Sequence, residues 1–213
     1  MRSSIGRKVI MAVTGAILVV FVIGHMTGNL LVYLGPKALN DYAVFLRVFL
    51  HGAGLWIARV TLLVSAVLHI WSATSLTLDS RRARPQDYRE QKWKESTYAS
   101  RTMRWGGVII LLFVIYHLLH FTFGTVHPSF VEGDVYHNFV TGFRSVPVSL
   151  AYIVAMIALG LHLKHGVWSM FQTLGVSHPR YIRLGRALGW LIAMVVVTGN
   201  VSFPIAVLAG IVK

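Results

Sequence analysis

Six histidines sit inside stretches otherwise made of Leu, Ile, Val, Ala, Gly and Phe: His25, His69, His117, His120, His162 and His165. One of them falls in each of four successive apolar runs, at intervals of 44, 48 and 45 residues for His25, His69, His117 and His162. In "GLHLKHG" a lysine, Lys164, shares one helical turn with two of them. An imidazole can ligate a metal, move a proton or hydrogen-bond a neighbouring helix. Ionisable side chains at bilayer depth are rare and face a bundle interior, where they mark ion, proton or cofactor paths. One buried imidazole is explained by a bond across helices. Four in four consecutive helices call for a shared purpose.

The elements that carry them read as membrane spans. The chain has 213 residues, 55% hydrophobic and 13% charged, against about a quarter charged in a soluble domain. Five apolar runs reach the roughly 20 residues that cross a bilayer, at about 9–34, 53–78, 105–126, 146–172 and 187–211. The first follows the basic "MRSSIGRK" but is longer than the 7–15 residues of a signal-peptide core, so it is read as a retained helix. The net charge of +13 collects in short segments between these runs, which points to membrane topology and not to nucleic acid. There is no cysteine, which excludes disulfides and any cysteine-ligated cluster in this chain. Lys and Arg are dense before the first run (Arg2, Arg7, Lys8), in the second connection (Arg81, Arg82, Arg84, Arg89, Lys92, Lys94, Arg101, Arg104) and in the fourth (Arg180, Arg183, Arg186). The positive-inside rule then gives an all-α, single-domain bundle over 1–213, with five transmembrane helices, a cytoplasmic N-terminus and an outer C-terminus. In the first connection, "NDYAVFLRVFL" aligns Ala43, Leu46 and Leu50 behind Asn40 or Asp41 as a cap, which reads as an interfacial helix or a plain loop.

Depth sorts the histidines. At about 1.5 Å per residue, His25 and His117 lie roughly 3–6 Å outward of their helix midpoints, and His69 and His162 about 4–6 Å inward. Two layers of two result, about 10 Å apart. Imidazoles from facing helices can take both axial positions of haem iron, and bundle cores are a usual place for such sites. The ligand helices carry small residues beside the histidines: Ala155, Ala158 and Gly166 near His162, Ser65 and Ser72 near His69, and Gly15, Gly24 and Gly28 in the first run. Zinc requires four close ligands, and two separate layers do not converge on one ion. A haem-free metal transporter built on His120 and His165 is the competing class. Lys164 either snorkels to the headgroups or pairs with a haem propionate.

Several stretches resemble the cytochrome b membrane anchor of succinate dehydrogenase or fumarate reductase, of the b558 type with one polypeptide and two haems. They are "GRKVIMAVTGAILVVFVIGHMTGNL", "NDYAVFLR", "YASRTMRWGGVIILLFVIYHLLHFTFG", "DVYHNFVTGF" and "LGLHLKHGVWSMFQTLG". The resemblance implies a multi-pass protein of the cell (inner) membrane that binds two haems b. The distal haem would be held by His25 and His117, the proximal one by His69 and His162, the pairing that depth gives independently. It implies cytoplasmic flavoprotein (FAD) and iron–sulfur partners, contact with membrane lipid, and electron exchange at this subunit with a quinone, expected to be menaquinone. Lys164 and Arg104 are propionate candidates, Arg104 also a quinone candidate, and His120 a further cofactor-binding candidate. Polar groups for a quinone pocket are Asn29, Tyr33, His51, Trp56, Arg59 and His120 on the outer side. On the inner side they are Trp93, Arg104, Trp105, Lys164 and Trp168. Some relatives use a glutamate beside the proximal ligand for proton movement; "ALGLHLKHG" has no acid there. The related alternative is the cytochrome b anchor of a hydrogenase, formate dehydrogenase or nitrate reductase.

Overall fold

The computed structural model describes residues 3–83, 98–176 and 178–213, with the side chains of 98–102 excepted. The expectations placed on Arg2, Arg84, Arg89, Lys92, Trp93 and Lys94, and on the Arg101 side chain, lie outside these residues. Seven α-helices follow one another among the described residues, with no strand: α1 (Ser4–Asn29), α2 (Pro36–Val48), α3 (Ala53–Arg82), α4 (Tyr98–His117), α5 (Val135–Phe143), α6 (Val146–Thr173) and α7 (Pro179–Leu208). Of these, α1, α3, α4, α6 and α7 are long and apolar enough to cross a membrane. Their outward faces are apolar: Val20, Ile57, Leu63 and Leu112 are each more than 60% exposed. In water such surface would be costly, whereas in a bilayer it meets lipid. The protein is a multi-pass membrane bundle.

The helix ends depart from the apolar runs for a simple reason. Hydropathy marks only the lipid-embedded part, while helical hydrogen bonding continues into charged turns. α7 therefore starts at Pro179, favoured at a first helical position because its missing N–H has no partner to lose there, eight residues before its apolar run begins. α3 likewise continues through Asp79 to Arg82. The Asp79 carboxylate accepts from the Arg7 guanidinium at 2.5 Å, joining the ends of antiparallel α1 and α3.

Close backbone approach builds the main hairpin. A Cβ at Gly160 would stand 2.4 Å from Val197 Cγ2, and one at Gly189 would stand 2.6 Å from the Lys164 carbonyl oxygen. Small residues at these two positions let α6 and α7 pack with their backbones nearly touching, the usual way helices associate in lipid. The other extended contacts run between α1 and α3 and between α4 and α6.

The first connection is a helix, α2, but its cap and packed face differ from the expected ones. Gly35, at φ +95°, precedes Pro36 at the helix start. Leu39 is the residue α2 buries, while Leu46 and Leu50 remain exposed. Asn40 does cap a helix, but another one. Its Oδ1 accepts from the Tyr136 N–H at 2.9 Å and its Nδ2 donates to Asp134 Oδ1 at 3.0 Å. Asp134 in turn accepts from the His137 N–H at 3.0 Å as the N-cap of α5. These bonds draw the Asp134 carboxyl below its ordinary range, the His137 N–H first and the Asn40 amide second. α5 was not expected from the sequence. It is nine residues long and closes one end of the bundle with Phe139, Val140 and Phe143 packed on Tyr152 and Phe203.

Candidate functional site

Two pairs of imidazoles face each other across the bundle. The His25 and His117 rings have centroids 5.9 Å apart at 84°. Those of His69 and His162 are 6.3 Å apart at 61°. The helices that bear each pair, α1 with α4 and α3 with α6, make no extended backbone contact among the described residues, in contrast to their other neighbours. Each pair therefore bridges a gap between helices. The pairing expected from depth is the one the fold brings together.

Spacing is the test of whether iron can sit between them. An imidazole nitrogen lies about 2.0–2.1 Å from a metal and roughly 1.1 Å from its ring centre, so two axial rings on one ion have centroids about 6 Å apart. Both pairs meet that value. Three or more His, Asp or Glu side chains in metal-binding range of one another do not occur among the described residues, so neither pair belongs to a larger set of side-chain metal ligands. The residues fit the cofactor.

Ring orientation is set by the other nitrogen, as ligating histidines generally require. The His69 Nδ1–H donates to the Met11 carbonyl oxygen at 3.1 Å, with the Thr14 hydroxyl 3.4 Å away. Since a carbonyl only accepts, Nδ1 carries the proton and the Nε2 lone pair is free. Thr14 is itself held by donation to the Ile10 carbonyl at 2.7 Å. His117 Nδ1 lies 3.4 Å from the Tyr152 hydroxyl, which leaves its Nε2 free as well. At His25 the Asn29 amide donates to Nε2 at 3.3 Å, so ligation through that nitrogen would require the amide to turn away. His162 Nδ1 is buried with no hydrogen-bond partner.

The two levels are further apart than the sequence led us to expect. His69 packs on Gly15 of α1, and His25 lies ten residues on, about 15 Å along the helix. His117 is level with Tyr152 of α6, and His162 again lies ten residues on, about 15 Å. Two helices thus give one separation, against the 10 Å obtained from the midpoints of apolar runs. Those runs are unequal samples of the helices, so their midpoints do not mark a common plane.

The accessory candidates divide. His120 lies in a turn of π-helix, fully buried, stacked between Tyr116 and His127 with centroids at 5.5 and 4.9 Å. It belongs to the interior of the bundle. The Lys164 ammonium sits 3.8 Å from the Trp190 ring centre, a cation–π contact that holds it beside α7. Trp168 lies against His165 and under the Arg186 guanidinium. Arg104 and Trp105 are exposed. On the other side Tyr33 donates to the Ser202 hydroxyl at 2.7 Å, His51 occupies a left-handed turn at φ +54°, and Arg59 covers an exposed Trp56. These residues occupy distinct environments. Sequence reasoning missed Met11, Thr14 and Tyr152. Only Tyr152 carried a signal, as a phenol inside an apolar run three helical turns before His162.

The family of succinate dehydrogenase/fumarate reductase transmembrane subunits matches residues 79–201, more than half of the chain. That stretch contains His117 and His162, while His25 and His69 precede it. No curated protein and no solved structure matches the chain.

Proposed function

Because the chain belongs to the succinate dehydrogenase/fumarate reductase transmembrane-subunit family, we propose that it anchors that complex and passes electrons between an iron–sulfur subunit and a membrane quinone. The quinone is menaquinone, and a flavoprotein subunit performs the succinate or fumarate chemistry. Two haems b are held, one by His25 and His117, the other by His69 and His162. The observation that carries this reading is the two facing imidazole pairs, each at the spacing of a shared iron. When bound, haem iron supplies reversible one-electron transfer at two depths of the bilayer.

The chain's own work is to fix ligands and exclude water. Met11 and Thr14 hold the His69 ring, and Tyr152 holds His117. The apolar outer faces keep the bundle in lipid. Lys164, kept near α7 by Trp190, is a cation within one turn of His162 and suits a propionate. The Lys/Arg-rich connections, including Arg81, Arg82, Arg180, Arg183 and Arg186, face the cytoplasm under the positive-inside rule and form the docking side for the partners. Family membership also selects this assembly over hydrogenase, formate dehydrogenase or nitrate reductase anchors.

The test is purification through a tag on this chain. A flavin-bearing and an iron–sulfur subunit should co-purify, and succinate should reduce the b haems of the complex. A haem-bearing chain that brings down a molybdenum or nickel enzyme instead would refute the assignment.

A further inference from the structure

Tyr152 stands between two histidines of different kinds. Its hydroxyl lies 3.4 Å from Nδ1 of His117 and 3.0 Å from Nδ1 of His120. The phenol has one proton, so it cannot donate to both. If His117 gives its Nε2 lone pair to iron, its neutral ring must carry its proton on Nδ1. The Tyr152 oxygen then accepts from His117, and its own proton goes to His120 Nδ1. That fixes the His120 tautomer: its proton is on Nε2, which is buried with no partner. The chain of donors runs one way, from His117 through Tyr152 to His120.

The surroundings hold that chain in place. His120 is fully buried and stacked against Tyr116 and His127. A Cβ on Gly142 would reach 2.9 Å from its Cε1, so α5 presses on the ring through a glycine. Phe113 and Phe143 meet the Tyr152 ring edge-to-face at 4.9 Å each. His127 cannot take over as the acceptor for Tyr152. Its Nε2 donates to the Asn138 carbonyl at 2.8 Å, and its Nδ1 accepts from the Ser129 N–H at 3.1 Å.

We infer that Tyr152, fixed by His120, is the positioning residue of the outer haem ligand, and that it lowers that haem's reduction potential by accepting the His117 N–H. A hydrogen bond from the distal nitrogen makes an imidazole more basic, and a more basic axial ligand favours ferric over ferrous iron. The inner pair is supported differently, since His69 donates to a backbone carbonyl that no substitution removes and His162 has no partner at Nδ1. This rests on the two-haem reading above.

The test is redox titration of the purified protein carrying Tyr152→Phe, which keeps the ring and removes the hydroxyl. The bond is worth about 1 kcal/mol, and only its difference between the two iron states moves the midpoint, so the change is at most about fivefold in the reduction equilibrium, or about 40 mV at 59 mV per tenfold. One of two b midpoints should rise within that bound and the other stay, with both haems bound. His120→Leu, which removes the acceptor for the phenol and keeps an apolar side chain between Tyr116 and His127, should raise the same midpoint by less, and His120→Gln, which restores an acceptor, should return it toward wild type. If Tyr152→Phe costs the outer haem outright, the two His120 variants carry the comparison. Unmoved midpoints with both haems bound, or equal movement of both, would overturn the inference. Absence of haem from the wild-type protein would overturn the two-haem reading instead.

Discussion

Gly15 offers a way to disturb one imidazole pair without touching a ligand. A Cβ at this position would stand 3.2 Å from His69 Cε1 and 3.5 Å from Nδ1. Gly15→Ala asks the ring to withdraw only a few tenths of an ångström to reach an ordinary contact of about 3.5–4.0 Å. Gly15→Val sets methyl groups about 1.5 Å further out, so the ring must move by roughly 1–2 Å. A metal–imidazole bond accepts about 0.2 Å of misplacement, and retreat also breaks the bond to the Met11 carbonyl. Overpacking of this kind costs about 1–3 kcal/mol, or roughly 5- to 150-fold in affinity at 1.4 kcal/mol per tenfold. His25 is ten residues along the same helix, about 15 Å away, beyond the range at which substitutions usually couple. Haem per chain and a reduced-minus-oxidised spectrum read the result. Gly15→Ala should keep both haems, and Gly15→Val should lose the inner one and keep the outer. Retention of both with wild-type spectra in Gly15→Val, or loss of the outer haem alone, would refute this geometry.

Ligand removal should follow the pairing. His69→Ala and His162→Ala should lose the same haem, and their double variant should retain one haem. His25→Ala combined with His69→Ala should retain none. Spectra showing different haems lost within a pair would break the assignment. Asp134→Ala removes the cap of α5 and should cost about 1 kcal/mol in thermal melts of the detergent-solubilised protein. Because the Asp134 carboxyl is lowered in the folded protein, its stabilisation is full above the ordinary value of 3.8 and is lost as pH falls through the lowered native value. Asp134→Ala should flatten that acid limb, and an unchanged limb would contradict the cap. Gly189→Val, facing the Lys164 carbonyl oxygen, should destabilise the α6–α7 hairpin by about 1–3 kcal/mol; an unaltered melting temperature would show that the hairpin has more room.

The spans were legible because lipid selects long apolar runs regardless of tertiary detail. The pairing of His25 with His117 and of His69 with His162 was legible because position along a helix is a ruler. The distance between the levels was not, since a run of apolar residues does not mark where its helix crosses the bilayer midplane. α5 stayed hidden because nine residues of mixed Val, Tyr, His, Asn and Phe carry a weak local signal beyond the Asp134 cap, and the Asn40 amide that completes the cap comes from another connection. The supports of the ligands were the least readable part. The Met11 carbonyl has no side-chain signature, and Tyr152 shows only a phenol in an apolar stretch until α4 and the π-helical turn after it bring His117 and His120 to it.

The central claim is that imidazoles face each other at two depths because each pair shares an iron. The most direct measurement is haem content and the reduced-minus-oxidised spectrum of the wild-type protein purified after expression with ample haem. Two low-spin b haems per chain, each with two imidazole ligands, are the expected result. A protein that folds and purifies without haem bands, or that holds a single haem, would contradict it.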